Sequence, residues 1–280
     1  MHIEVNGARL FIDVVGSSLV PQGTVMHERQ SMFVLHGGPG FDHSGFRPWF
    51  DRFADQVQII YVDHRGNGRS GGELDTCSLA QWGDDIRTLA DNLGIVKPIV
   101  FGNSFGGMVA MSYAIRHPQH PAKLILSSTA AKMNWAESFN RFSEYGGPLS
   151  LQVAKDFWEK MDEASDKTYA EVCMPLYTRN PSKMAESHAR AIRRLDVARH
   201  FSLGEMQSMD QRAGLGQIAC PVLVWAGAYD PITPPSCSQE IIDHLPPGHG
   251  RLDLFDHSGH GPYRDEPEKA EQILRAFLSA

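Results

Sequence analysis

One serine in the chain has the surroundings of a nucleophile held at a sharp turn. Ser104 lies in the stretch Gly-Asn-Ser-Phe-Gly-Gly over residues 102–107, between an apolar run at 98–101 and a helical pattern at 108–117. Glycines two residues before and after it let the chain turn without a Cβ clash, so the hydroxyl is exposed at a sheet edge. The alternative is a glycine-rich turn with an incidental serine. A nucleophile also needs a base, an acid and an oxyanion site.

The base of such a site is a histidine, because its unperturbed pKa lets it accept and return a proton near neutral pH. Among the 13 histidines, His260 follows the last apolar run and lies between Gly259 and Gly261, which let the backbone orient the ring. His257 is the nearby competitor. The two histidines could instead bind a metal, but no third ligand follows at a typical spacing, so no metal site is predicted.

The acid that orients the histidine is predicted to be Asp230, which follows the next-to-last apolar run. Asp256 is too near His260 in sequence to orient it well. Asp230 precedes Pro231 and could also serve as a turn residue, a role compatible with catalysis. The order Ser104, Asp230, His260 is the one expected when a serine turn stands on a parallel sheet.

Two backbone N–H groups are predicted to form an oxyanion hole. Phe105 follows the serine at a helix N-terminus, where the helix dipole favours negative charge. The second donor is Gly38 in the turn His-Gly-Gly-Pro-Gly over residues 36–40. Glycine allows close approach of the backbone to a ligand, and Pro39 fixes the loop beyond it. The alternative for this stretch is a simple tight turn.

The secondary structure that positions these residues is predicted to alternate between strands, seen as short apolar runs, and amphipathic helices. An Asn-Gly turn predicts a hairpin over residues 3–15, and residues 16–30 are predicted to be a surface loop. Further strands are predicted at 31–35, 57–62, 98–101, 123–128, 221–227 and 251–255. Helices are predicted at 46–53, 79–93, 108–117 and 235–245, and from Pro267 onward. This alternation predicts an α/β fold, a mostly parallel sheet with helices on both faces and ligands at the carboxyl ends of its strands.

The alternation stops between residues 130 and 217, a stretch that is rich in helix formers and interrupted by Pro175. We expect a helical cap inserted in a core formed by residues 1–129 and 218–280. A separate domain is the alternative, but no linker rich in Pro, Gly or Ser bounds the stretch.

The overall composition indicates which kinds of binding partner and location to expect. The net charge is −7, with 42% hydrophobic and 21% charged residues and no basic run, which argues against nucleic-acid binding. No apolar stretch is long enough to span a bilayer, and the N-terminus does not resemble a signal peptide. The four scattered cysteines suit free thiols in a reducing compartment, so a cytoplasmic location is expected. We expect a small-molecule or short-peptide substrate and no cofactor; the sequence does not predict an oligomeric state.

Four motifs together resemble the α/β-hydrolase superfamily along nearly the whole chain. They are the turn at 36–40, the stretch Asp-His-Arg-Gly-Asn-Gly-Arg-Ser at 63–70, the serine turn at 102–107, and Ser-Gly-His at 258–260. The first two look most like the proline iminopeptidases. That resemblance implies an α/β-hydrolase fold with a helical cap and release of an N-terminal proline from small peptides. It also implies cap carboxylates that bind the free amine, for which the candidates are Glu137, Glu144, Glu163, Glu171 and Glu205.

The cap departs from the iminopeptidases, which commonly carry Trp-x-x-Trp-Glu where this chain has Phe-Trp-Glu at 157–159. An esterase or lactonase with the same triad is therefore an alternative, with an apolar pocket formed by Met133, Trp135, Phe139, Phe142, Trp158, Met161 and Met174. Trp135, Phe139 and Trp158 are the predicted substrate-binding residues. Two further alternatives are a carbon–carbon bond hydrolase, whose usual tryptophan after the histidine is absent here, and a non-catalytic small-molecule receptor.

Overall fold

The computed structural model describes all residues from Met1 to Ala280. Ten strands are present: β1 His2–Val5, β2 Ala8–Val15, β3 Leu19–Gln22, β4 Val25–Glu28, β5 Ser31–Leu35, β6 Gln58–Val62, β7 Ile99–Asn103, β8 Lys123–Ser127, β9 Val222–Gly227 and β10 Gly250–Phe255. Eight of them form one sheet in the order β1-β2-β6-β5-β7-β8-β9-β10. All neighbours from β6 to β10 are parallel, whereas β1 and β2 are antiparallel additions at one edge. The predicted α/β fold with a mostly parallel sheet is confirmed.

The N-terminal hairpin forms around the predicted Asn-Gly turn. Val5 pairs with Ala8, and Asn6 and Gly7 both have positive φ, at 47° and 77°. These angles suit the two central residues of a tight hairpin turn whose twist matches that of the strands.

The prediction of a surface loop over residues 16–30 is wrong, because the chain forms a second hairpin there. Strands β3 and β4 pair with each other and with no other strand. Nearly all side chains of β3 and β4 are exposed. Their sequences therefore lack the alternation of apolar and polar residues that predicts a strand.

Eleven α-helices accompany the sheet: α1 Leu79–Asn92, α2 Phe105–Arg116, α3 Trp135–Lys160, α4 Glu163–Val172, α5 Pro181–Arg190, α6 Leu195–Leu203, α7 Glu205–Ser208, α8 Arg212–Leu215, α9 Pro235–His244, α10 Pro262–Asp265 and α11 Pro267–Ser279. The weak helical pattern near residues 46–53 corresponds to two 3₁₀ segments, His43–Phe46 and Trp49–Asp55. No helix is long and apolar enough to cross a membrane.

Residues between β8 and β9 contain helices α3 to α8 and no strand. Helix α3 kinks at Gly147, whose φ is 74°, just before Pro148. Pro175 lies in a 3₁₀ turn, Met174–Tyr177. The helices expected in this stretch are therefore present. That the stretch forms a cap over the core stays a prediction.

Two hydrophobic clusters cover the two faces of the sheet. Successive residues of β5 show this, since Phe33 and Leu35 belong to one cluster while Met32 and Val34 belong to the other. Side chains alternate between faces along a strand, so both faces of β5 are buried, as expected for a central parallel strand. The carboxyl ends of the central strands are thereby fixed relative to one another.

Candidate active site

Ser104 stands at a strained turn between β7 and α2. Its φ of 55° and ψ of −121° are unusual for a residue with a Cβ. The flanking glycines are required by close packing: a Cβ on Gly102 would lie 2.2 Å from the carbonyl oxygen of Gly106, and one on Gly106 would lie 2.2 Å from that of Leu35. The sequence pattern therefore produces the sharp turn that was expected of it.

Hydrogen bonds from strand β8 hold the backbone of this turn. The Ser104 N–H donates to the Ser127 carbonyl at 2.9 Å, and the Thr129 hydroxyl donates to the Ser104 carbonyl at 2.7 Å. Phe105 begins helix α2, so its N–H is one of the first-turn groups that have no intrahelical acceptor. The turn thus carries a hydroxyl and a backbone donor on adjacent residues.

His260 and Asp230 form a buried hydrogen-bonded pair. His260 Nδ1 donates to Asp230 Oδ2 at 2.7 Å. The other carboxylate oxygen accepts from the N–H groups of Ile232 and Thr233 at 3.0 Å each, and the Thr233 hydroxyl donates to Oδ2 at 2.8 Å. These bonds fix the carboxylate, which in turn fixes the imidazole with its proton on Nδ1 and Nε2 free to accept.

A tyrosine from the helical stretch also positions His260, and no sequence motif indicates it. The Tyr177 carbonyl accepts from the His260 N–H at 2.7 Å, and the two rings pack edge to face with centroids 5.1 Å apart. Gly259 is required beside it, because a Cβ there would lie 2.4 Å from the same carbonyl oxygen. The histidine loop therefore depends on residues far away in sequence.

The side-chain carboxylates of two residues that follow His260 also bind this loop. Asp265 accepts from the Gly259 N–H at 2.8 Å, and Glu266 accepts from the His257 N–H and the Ser258 hydroxyl at 2.8 and 2.7 Å. His257, the competitor for the base, is itself exposed. Of these two histidines, only His260 has a buried carboxylate partner.

The proposed second oxyanion donor lies in a backbone conformation that favours glycine. Gly38 has a φ of 122°, and a Cβ there would lie 3.1 Å from the Gly40 nitrogen and from the Phe41 ring. The neighbouring His36 donates from Nδ1 to the Gly37 carbonyl at 2.7 Å. An alanine at Gly38 would therefore force this turn to shift.

The motif at residues 63–70 supports that turn. His36 Nε2 accepts from the His64 N–H at 3.2 Å, and the Asn67 side-chain oxygen accepts from the Gly40 N–H at 2.7 Å. Burial lowers the pKa of both His36 and His64, so these imidazoles are neutral at neutral pH.

Arg65 of the same motif is buried away from the cavity. It pairs with Asp85 through two bonds of 2.7 Å, and it also donates to the carbonyls of Val5 and Asn6. Both side chains are nearly inaccessible, at 3% and 2%. This pair ties the N-terminal hairpin to helix α1 and to the motif loop.

Ser104, His260, Gly38 and Phe105 all line one cavity of about 480 Å³, and Asp230 lies buried behind His260. Most of its wall is apolar and comes from the helical stretch after β8. The apolar wall includes Met133, Phe157, Trp158, Met161, Tyr169, Met174, Tyr177, Met184, Leu195 and Met206. Such a cavity suits a small, largely apolar substrate.

The structure places one of the three predicted substrate-binding residues in the cavity wall and the other two outside it. Trp158 lines the cavity, whereas Trp135 and Phe139 do not. They stack on each other at 5.8 Å between centroids, and Trp135 packs on Trp158 at 5.0 Å. Residues four apart share a helix face, and this face of α3 packs against Trp158 rather than the cavity. Phe142, named for the apolar pocket, also lies outside the lining.

None of the five candidate amine-binding glutamates lines the cavity. Glu205, for example, accepts from the Leu79 N–H at the start of α1, at 2.8 Å. Two carboxylates do line it, but each has an arginine partner: Asp42 accepts from Arg69 at 2.7 Å, and Asp166 accepts two bonds from Arg193 at 2.9 and 2.7 Å. Neither carboxylate is free to bind an ammonium group.

Comparison with known proteins places this geometry in a family. The sequence matches the alpha/beta hydrolase fold over residues 30–267. The chain belongs to that family. A putative carbamate hydrolase of Caulobacter sp. strain K31 is 28% identical over 266 residues, covering 90% of this chain and 91% of the relative. A proline iminopeptidase of Lactobacillus crispatus strain ST1 is 26% identical, with 90% of each chain covered. The predicted hydrolase and its resemblance to the iminopeptidases are thereby confirmed.

Solved structures of the family share the fold of this α/β-hydrolase. A proline iminopeptidase of Mycobacterium smegmatis has a TM-score of 0.78 at 22% identity, covering 100% of this chain and 97% of its own. The enol-lactonase of Burkholderia xenovorans LB400 has a TM-score of 0.76 at 20% identity, with both chains fully covered. A thermophilic esterase of Thermogutta terrifontis scores 0.75 at 23% identity, covering 100% and 98%.

Proposed function

We propose that this α/β-hydrolase is a serine hydrolase whose nucleophile is Ser104, with His260 as its base and Asp230 as the residue that orients the base. One observation carries the proposal. A strained serine and a histidine with a buried carboxylate partner line the same cavity. This combination is what nucleophilic catalysis by serine requires.

The reaction follows from these positions. His260 Nε2 takes the proton from the Ser104 hydroxyl as its oxygen attacks a carbonyl carbon. The N–H groups of Phe105 and Gly38 stabilise the negative charge that develops on the carbonyl oxygen. His260 then protonates the leaving group, and water, deprotonated by His260, attacks the acyl-enzyme and releases the acid. Asp230 stabilises the imidazolium at each stage.

We further propose that the substrate is a small carboxylic ester or lactone. The cavity wall is mainly apolar, and its two carboxylates are paired with arginines. An apolar wall favours acyl chains or rings, while an α-ammonium group would meet no free carboxylate.

Proline iminopeptidase activity is the second candidate, and the named relatives favour it. It requires recognition of a free secondary amine beside the scissile carbonyl. Neither the glutamates expected from the sequence nor the two carboxylates of the cavity supply an unpaired acceptor, so the ester or lactone is favoured.

A substrate panel separates the two candidates. We expect multiple turnover of short p-nitrophenyl esters and no release of naphthylamine from proline-β-naphthylamide. The Ser104→Ala variant serves as the control for both reactions. Turnover of the naphthylamide at a kcat/KM above that for the esters would replace the ester proposal with the iminopeptidase. Single-turnover behaviour with every ester would indicate a receptor instead.

A further inference from the structure

One guanidinium in the cavity wall has donors that no protein group uses. Arg264, on the short helix α10 that follows His260, lines the cavity with 13% of its side chain exposed. Its Nε donates to the Thr178 hydroxyl at 3.3 Å. Neither Nη1 nor Nη2 has a hydrogen-bond partner in the chain. A largely buried guanidinium has five donors to satisfy, so two free amino groups imply another acceptor.

The adjacent Asp265 does not satisfy this guanidinium. Its nearest oxygen is 3.8 Å from Arg264 Nε, beyond hydrogen-bond distance. The carboxylate instead accepts from the Thr178 hydroxyl, the Arg179 N–H at 3.0 Å and the Gly259 N–H at 2.8 Å. The Asp265 carboxylate is therefore engaged by Thr178, by Arg179 and by the loop that carries His260.

Arg264 differs in this respect from the other arginine of the cavity wall. Arg193 forms two hydrogen bonds to Asp166 and stacks over the Phe41 ring at 5.0 Å. Asp42, the other carboxylate of the wall, is paired with Arg69. The cavity thus contains one cation without a hydrogen-bonded counter-charge, at Arg264.

A second unused donor lines the same cavity as Arg264. His188 also lines the cavity, packs on Phe41 with centroids 5.4 Å apart, and makes no hydrogen bond through its ring. Burial and the charges of Arg264 and Arg193 lower the pKa of His188 to about 4. At neutral pH its imidazole is uncharged and offers one N–H to a ligand.

The position of the guanidinium is fixed against the residue that follows His260. A Cβ on Gly261 would lie 2.7 Å from Arg264 Nη2, so glycine there allows the close approach. Any anion bound by Arg264 therefore lies in the same cavity as the proposed nucleophile and base.

We propose that Arg264, assisted by His188, binds a carboxylate of the substrate. This inference rests on the proposed function, because it names the substrate class of the same site: a carboxylic ester or lactone that carries a second, free carboxylate. A guanidinium with both terminal amino groups free can hold a carboxylate through two parallel hydrogen bonds, which are strong and directional in a cavity of low polarity.

The test compares anionic and neutral substrates on the same enzyme. The anionic series consists of p-nitrophenyl half-esters of dicarboxylic acids of increasing chain length. The neutral series has the free carboxylate blocked as its methyl ester. At the best chain length, we expect wild-type kcat/KM to favour the anionic substrate by about tenfold or more. In Arg264→Gln we expect the ratio to fall to about one.

Two further variants sharpen the comparison. Arg264→Lys keeps the positive charge but cannot donate two parallel hydrogen bonds, so it should retain only part of the preference for the anionic substrate. Arg179→Gln removes a nearby exposed arginine whose side chain lies over Tyr229, outside the cavity, and should leave the ratio at the wild-type value. Each ratio is measured within one preparation, so a reduced folded fraction does not alter it.

The outcomes separate this inference from the proposed function. A wild-type ratio near one, or an undiminished ratio in Arg264→Gln, would overturn the carboxylate subsite while ester hydrolysis stands. Absence of turnover for both series at every chain length would overturn the proposed function and this inference with it.

Discussion

His260 Nδ1 donates a 2.7 Å hydrogen bond to a carboxylate oxygen of Asp230, a residue with no exposed surface. That bond orients the imidazole of the proposed base in the cavity that Ser104 also lines. We expect Asp230→Asn to lower kcat for ester hydrolysis by about 10³–10⁴-fold, because an amide at this position favours the wrong tautomer.

Asp256→Asn is the matched control for that change. Asp256 is exposed and lies near His260 in sequence, but it does not contact the ring. Steady-state kinetics should place this variant within a few-fold of the wild type. Equal losses in the two variants would contradict the assignment of Asp230.

The Gly38 turn gives a second prediction. An alanine at Gly38, with its φ of 122°, must shift the turn, which moves the proposed N–H donor away from the oxyanion. Loss of one such donor typically costs about 10²–10³-fold in kcat. Gly94→Ala is the control, because Gly94 also has positive φ, ends helix α1 and has open space around it. Gly38→Ala should lose kcat, whereas Gly94→Ala, which strains only the backbone after helix α1, should keep it; unchanged kcat in Gly38→Ala would remove Gly38 from the mechanism.

The buried pair of Arg65 and Asp85 predicts a stability effect without a catalytic one. Asp85→Asn leaves a buried guanidinium without its counter-charge and should lower the free energy of unfolding by about 3–5 kcal/mol. The adjacent Asp84 pairs with Arg116 at the surface, so Asp84→Asn should cost about 1 kcal/mol or less. Urea unfolding measures both, and similar losses would show that burial of the pair has no special effect.

The neutral imidazoles of His36 and His64 predict a loss of stability in acid. Burial lowers their pKa in the folded state, whereas in the unfolded chain each binds a proton near about pH 6.5. The contribution of these two histidines to the free energy of unfolding should therefore be greatest above about pH 6.5 and should fall as the pH decreases below that value. In His64→Gln the slope should be smaller by up to about 1.4 kcal/mol per pH unit.

His27→Gln is the control for the acid effect, since His27 is exposed on strand β4. Urea unfolding at a series of pH values gives the slope for each protein. A His64→Gln slope equal to that of the wild type would mean that His64 does not contribute to the acid sensitivity.

The proposed catalytic residues could be predicted from the sequence because each one follows a predicted strand of the parallel sheet. Ser104 comes directly after β7, whereas Asp230 and His260 lie on the loops that follow β9 and β10, and parallel strands bring their carboxyl ends to one edge. Local signals sufficed, since each residue has glycine or proline within two positions of it, which marks a turn.

Residues that act through long-range contacts could not be predicted in this way. Tyr177 holds His260 through a backbone carbonyl, and any residue type could supply that group. The free donors of Arg264 depend on which groups satisfy Asp265, which only the folded structure shows. For Trp135 and Phe139, helical spacing identified a shared face but not the surface it covers.

Labelling of Ser104 tests the central claim most directly. The intact enzyme is treated with a fluorophosphonate, which reacts with activated serines, and intact mass and peptide mapping locate the adduct. We predict a single adduct on Ser104, complete loss of ester hydrolysis in the labelled enzyme, and neither adduct nor turnover in Ser104→Ala, whose kcat should be lower by at least about 10⁴-fold. An adduct on another residue, or ester turnover retained in Ser104→Ala, would contradict the account.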